Sequence, residues 1–323
     1  MFHEHDLNYT QLVNSKIKSE FENYDNSVIY GQNVIAGSRI SGLGAGLEKI
    51  AGVKAINATN TENSLMGVGF GLAMSGIPSL FLMKQHDFAL LGLDQLTNTY
   101  NVLRNGKMLA PFRILMVIVD SGFEGPQASL SSLDEFASLT RAPVHFLSTF
   151  ETIEAGFVSS QEPGLHFMAL SQKNMKKKVL KSNISITKME SVAIYKSINR
   201  KIHRKRISVV FFGVEISMAR QVVEKLLEHN LEIDLFVITQ ISNKVYSSEI
   251  LGELIAYDEI ILIDTGKSDI HYSSELALRL VSHGISVSQY CRRASQTWSE
   301  VGSDSPEFTS DEIVQSLIAK GVN

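Results

Sequence analysis

The chain has 323 residues, 44% of them hydrophobic and 20% charged, with a formal net charge of -4 at pH 7. That is length and apolar content for two packed domains, without the positive excess that suits nucleic acid or an anionic membrane surface. A single cysteine, Cys291, excludes an intramolecular disulfide framework and a multi-cysteine metal site and fits a reducing compartment.

The opening "MFHEHDLNYT" is acidic and polar, with neither the basic start nor the apolar centre of a secretory signal, so a cytoplasmic location is expected. Next, "YTQLVNSKIKSEFENY" spaces its apolar residues as a helix does, and "SVIYGQ" and "GVKAINAT" predict short strands. A helix starts near Glu62. Pro78 has no amide hydrogen and clashes with the turn before it, so this helix ends around Gly76 and "SLFLM" restarts as a strand. The run from Ser64 to Met83 is uncharged and matches the roughly 20 residues of a membrane span, but its glycines, serines and Pro78 divide it into a buried helix and a buried strand. A helical segment around "LGLDQLTNTYNVLRNG" precedes "FRILMVIVDSG", apolar throughout as in a sheet covered on both faces. "SLDEFASLT", "PVHFLST", "TIEAGFVSSQ" and "GLHFMAL" then alternate helix and strand. The pattern predicts an α/β fold with a doubly wound parallel sheet. Such sheets place their sites at the carboxyl ends of strands, and Glu62 follows one.

From Lys173 to Arg206 the composition turns basic, with Glu190 the only acid. A solvated connecting segment is expected there, with a helix from Met189 to Ile202. Alternation resumes with "ISVVFFG", "SMARQVVEKLLEHN", "EIDLFVI", "EIILID", "SSELALRLVSHG" and "ISVSQY", a second, smaller α/β domain.

Two glycine clusters invite a nucleotide reading, "GLGAG" (Gly42, Gly44, Gly46) and "GVGFG" (Gly67, Gly69, Gly71), yet Leu47 and Leu72 stand where a G-x-G-x-x-G loop needs its last glycine. A smooth helix face for close packing is the expectation for Gly67 and Gly71, and a shaped loop for Gly42 to Gly46. There is no phosphate-cradling P-loop and no G-x-S-x-G elbow. The histidines show no metal-ligand spacing: His3 and His5 fall in a terminus expected to fray, and His229 and His283 at helix ends.

The ordered set Glu62, Gly67, Gly71, an aromatic loop and "DQLTN" (Asp94, Gln95, Leu96, Asn98) resembles the pyrimidine-binding domain of thiamine diphosphate enzymes. The likeness is to the branch holding the beta subunits of 2-oxo acid dehydrogenase decarboxylase components and the transketolases. "FENYDNSVIYGQNV" resembles the opening of that domain, and the segment after Ser208 resembles the family's C-terminal domain. The resemblance implies a pyrimidine-binding domain over residues 1–172, the connecting segment over 173–206 and a transketolase C-terminal-like domain over 207–323. It implies that Glu62 is catalytic, hydrogen-bonding the aminopyrimidine and promoting the tautomer that takes a proton from the thiazolium carbon, which then attacks a carbonyl substrate. An apolar surround favours a carboxyl that shares its proton with that nitrogen. It also implies that Phe88 stacks on the pyrimidine, or is an ordinary core phenylalanine, and that His86 faces the same cavity, or lies at the surface.

Departures from the family matter as much. Its G-D-G motif, which holds the diphosphate through magnesium, is absent, so no metal ligand is assigned to this chain. The magnesium ligands are expected on a separate alpha-type subunit, with the active site between subunits of an alpha2beta2 heterotetramer. A family histidine that would help bind substrate is replaced at Ala128 and Ser129, Gln32 and Asn33 stand for an acidic pair, and Asn57 stands for an aspartate. These changes argue against a standard pyruvate dehydrogenase and leave open a divergent decarboxylase, acyl or ketol transfer to an acceptor such as a sugar, or a partner that kept the fold and lost the chemistry. "DTGKSDIHYSSELA" replaces a glycine-rich turn of the family and receives no chemical role.

Overall fold

The computed structural model describes residues 2–120, 131–182, 186–189, 191–196, 205–229, 231–242, 248–266, 270–291 and 308–320. Among them, β2 (Ser27–Gly31), β3 (Val53–Asn57), β4 (Ser79–Met83), β5 (Pro111–Ile118), β6 (Val144–Leu147), β7 (Gly164–Ser171) and β13 (Gln240–Ile241) form a seven-stranded sheet in the order β13-β6-β7-β5-β4-β2-β3. Every pairing is parallel except that of β13 with β6. Period-two alternation along β5 explains why its sequence is apolar throughout. Phe112, Ile114, Met116 and Ile118 enter one core cluster, and Leu115 and Val117 enter another on the opposite face. The second face is covered by α1 (Tyr9–Phe21) and α5 (Phe150–Ser159), the first by α2 (Glu62–Met74) and α4 (Leu133–Thr140).

Local chemistry sets the ends of these helices. Asn8 caps α1 and Thr149 caps α5 in reciprocal capping boxes. α2 stops as the sequence predicts: Gly76 takes φ +74, Ile77 N–H donates to Leu72 O at 2.9 Å, and Pro78 follows. The helical segment after residue 92 is a π turn over Gln95–Thr99 running into α3 (Tyr100–Leu103), preceded by a 3-10 turn over His86–Gly92.

A second, six-stranded sheet runs β15-β14-β11-β12-β10-β9, from β9 (Ile186–Met189), β10 (Val192–Tyr195), β11 (Arg206–Phe212), β12 (Glu232–Ile238), β14 (Glu259–Asp264) and β15 (Ser286–Cys291). α6 (Ser217–Glu228) and α9 (Ser310–Ala319) cover one face, and α7 (Ser248–Leu254) and α8 (Tyr272–Ser282) pack on the other. That other face, with Val210, Phe212, Phe236 and Leu262, belongs to the same core cluster as Phe112 and Ile114 of the first sheet.

Three expectations are corrected. The described part of the helix expected over Met189–Ile202 is the end of one strand and the whole of another: β9 and β10 pair antiparallel, and β10 also pairs with β12. Val192, Ala193, Ile194 and Tyr195 are all buried, so this apolar run sits inside a sheet rather than on one helix face. The N-terminus expected to fray is β1 (Phe2–Asn8), paired antiparallel with β8 (Lys178–Ser182) inside the basic segment. His5 stacks on Phe150 at 5.1 Å between ring centroids. For the α2 glycines, a Cβ at Gly67 would make ordinary contact with Gln95 of the π turn at 3.9 Å, but close approach occurs at Gly69, where one would stand 2.2 Å from the Phe112 ring, and among the described residues nothing lies within 4 Å of one at Gly71. No helix among the described residues is long and apolar enough to cross a membrane.

Candidate functional site

Glu62 opens α2 just beyond the carboxyl end of β3, and its residue is only 6% exposed. Residues at the ends of neighbouring strands fix it in place. β2 ends at Gly31, whose φ of +147 and 2.2 Å virtual Cβ approach to Leu82 O admit no side chain. The chain thereby turns so that Gln32 Nε2 donates to Glu62 Oε1 at 3.1 Å. Tyr30 Oη donates to Leu65 O at 2.9 Å and its ring stacks on Phe81, tying the first turn of α2 to the sheet. Asn57 Oδ1 accepts from Ile35 N–H at 2.9 Å and so tethers the loop after β2. Among the described residues Glu62 Oε2 accepts no hydrogen bond. The carboxylate is therefore braced through one oxygen and free to receive a ligand N–H through the other.

The 86–92 turn lies against this helix start: a Cβ at Gly92 would meet Met66 Cγ at 2.6 Å and Glu62 O at 3.5 Å. Phe88 of that turn is half-buried and packs on the core cluster of the first sheet. His86 is wholly buried, which removes the surface alternative. Its Nε2 accepts from Ser132 N–H at 3.2 Å and lies 3.2 Å from Ser132 Oγ, so the neutral ring carries its proton on Nδ1. Nδ1 stands 3.3 Å from Asp87 Oδ2, a close approach without hydrogen-bond geometry. Both Asp87 oxygens are buried with no hydrogen-bond partner among the described residues. The structure thus joins His86 to α4 through Ser132 rather than to the Glu62 carboxylate. Ala128 and Ser129 lie outside the described residues.

Two residues went unassigned in the sequence: Gln32, which contacts Glu62, and Ser132, which holds His86. Gln32 was visible only as a departure from an acidic pair, although its place directly after a strand was a signal. Ser132 carried none, because its contact with His86 spans 46 residues. A cavity of about 530 Å³ opens elsewhere, lined by Lys16, Glu20, Phe157, Met189, Val192 and Thr239, and Glu62 is not on its wall.

Neither a protein-family model nor a curated protein sequence matches the chain. Among solved structures it is similar to the crystal structure of transketolase from Campylobacter jejuni subsp. jejuni NCTC 11168, with a TM-score of 0.70 and 11% identical residues. The match takes in 98% of this chain and 47% of that one, so the chain spans about half the length of that transketolase. A large parallel sheet beside a second, mostly parallel one, matched over nearly all of its length, gives this chain a transketolase-like α/β fold.

Proposed function

We propose that this chain is the beta-type subunit of a thiamine diphosphate-dependent enzyme, working on a small carbonyl substrate with a separate alpha-type subunit that holds the diphosphate and its magnesium. One observation carries this: a buried carboxylate at the start of α2, braced by Gln32 through Oε1 and open at Oε2. The residues present fit the pyrimidine half of the cofactor, with Glu62 as acceptor of a ring N–H and the half-buried Phe88 as the ring that packs against it. No residue of this chain is assigned to the diphosphate half. When bound, the cofactor supplies the heterocycle that stabilises charge on the substrate carbon. Glu62 holds the proton at the pyrimidine nitrogen, and Gln32 keeps that carboxylate from turning away.

A partner is supported by apolar side chains exposed on the elements that frame the site, Val68 and Met74 along α2 and Leu90 and Leu91 in the 86–92 turn. The reaction in this reading is 2-oxo acid decarboxylation or transfer of an acyl or ketol unit. Transfer of a two-carbon ketol unit is the second reading, favoured by the likeness to half of a transketolase chain. In the complex reconstituted with the alpha-type chain, Glu62→Ala is expected to lower turnover at least about 100-fold with assembly intact. Unchanged turnover would instead make this chain a non-catalytic partner, and turnover by this chain alone would remove the need for a second subunit.

A further inference from the structure

We propose that Asp264, His271 and Cys291 form a binding site for a divalent cation of the zinc class, separate from the Glu62 site. Asp264 and Cys291 end the adjacent parallel strands β14 and β15 and are register partners, so their side chains leave the sheet side by side. His271 reaches the same place as the residue preceding α8, in extended conformation. One ligand atom from each of the three lies within 4.8 Å of the other two, and His271 Nδ1 is 3.4 Å from Asp264 Oδ2. Bonds of about 2.0–2.3 Å to a tetrahedral zinc put ligand atoms about 3.3–3.8 Å apart, so only small rotations close the set.

The surroundings orient these ligands. Gly266 N–H donates to Asp264 Oδ1 at 3.0 Å, and Ser273 Oγ donates to Asp264 Oδ2 at 2.7 Å. Gln289 Nε2 in turn donates to Ser273 Oγ at 3.0 Å, and that hydroxyl lies 3.6 Å from Cys291 Sγ. Such supporting hydrogen bonds are what hold metal ligands in place. A second buried acid faces the cluster: Asp134 of α4 accepts from Tyr272 N–H at 3.2 Å. Its Oδ2 and Asp264 Oδ1 each stand 3.2 Å from where a Cβ on Gly266 would be. Two buried carboxylates and a thiol meet one imidazole, and among the described residues no lysine or arginine forms an ion pair with either carboxylate. A cation held between these groups would offset the charge of the carboxylates and give the thiol a partner. A set of one sulfur, one nitrogen and one oxygen selects a zinc-class ion over magnesium or calcium, and three protein ligands leave one position open.

The test uses the full chain, stripped with a chelator and dialysed against zinc. One tightly held zinc per chain is expected, and cobalt(II) in its place should show a thiolate-to-cobalt charge-transfer band. Cys291→Ser should abolish that band, and Asp264→Asn should weaken zinc binding by at least about 100-fold, with Glu62→Ala unaffected. Because Cys291 is the only thiol, zinc should also slow its alkylation by maleimide at least tenfold in the unmutated chain, which decides the matter should a variant fail to fold. Less than one zinc per chain, a cobalt spectrum without the band, or a thiol that zinc does not protect would overturn the proposal.

Discussion

The side chains that matter most are polar groups taken out of water and given one or two fixed partners. Gln32 shows why an amide rather than an acid suits its position: it donates to Glu62 Oε1, which a second carboxylate could do only when protonated. Deeper in the same sheet, His145 and His166 form a buried pair. His166 Nε2–H donates to Glu162 O at 2.9 Å, and His145 Nε2 donates to His166 Nδ1 at 3.2 Å. Burial, with His166 and Arg113 adding, holds His145 well below the usual histidine range. Burial takes His166 from 6.5 to about 4, with Arg113 adding and its bond to Glu162 opposing. Between those two values the unfolded chain takes up a proton that the folded one refuses. The contribution of neutral His166 to stability is thus whole above pH 6.5 and is lost as the pH falls toward 4, by on the order of 3 kcal/mol. The buried acids Glu20, Asp120 and Asp134, held above their usual range mainly by burial, act in the opposite sense, so the difference between variants is the quantity to follow. Urea midpoints of His166→Gln should fall less steeply than those of the unmutated chain from pH 6.5 to 4.5, and parallel curves would contradict this account.

At the scale of elements, the glycines of α2 are not equivalent. Gly69→Ala should cost about 1–3 kcal/mol, because the new methyl meets the buried Phe112 ring, itself set edge-on against Phe70. Gly71→Ala, with open space around it, should stabilise the isolated chain by about 0.5–1 kcal/mol through helix propensity. Chemical denaturation of the two variants checks both signs. The sequence shows where α2 begins and ends, since Pro78 and Gly76 act locally, but not which glycine faces Phe112, since that depends on how the helix lies over β5. The same division holds elsewhere. Strands β2 to β7 and β11, β12, β14 and β15 were legible from runs of apolar residues, as was Glu62 at a strand's carboxyl end. β1 with β8 and β9 with β10 were not: acids and histidines fill β1, lysines interrupt β8 and β9, the short apolar run of β10 also suits a helix, and the pairings of β1 with β8 and of β10 with β12 join segments distant in sequence. The Asp264, His271 and Cys291 cluster escaped for a related reason: parallel register, not spacing along the chain, brings 264 and 291 together.

For the molecule as a whole, the two sheets share one core. Phe112, Ile114 and Phe136 belong to the same cluster as Val210, Phe236 and Leu262. A fragment of residues 1–172 would lose that shared apolar surface, the β8 partner of β1 and the β13 partner of β6. The full chain is expected to melt in one cooperative transition and the fragment to show none, as followed by circular dichroism; a sharp independent transition of the fragment would contradict this.

The short strand β13 has a mechanical result as well. Gln240 and Ile241 pair with His145 and Val144, and Phe146 N–H donates to Thr239 O at 2.9 Å. This seam is continuous with β12 of the other sheet, so a clamshell swing of one sheet over the other would have to tear it. Closing the site by swinging one sheet on the other would therefore cost the backbone hydrogen bonds of this seam.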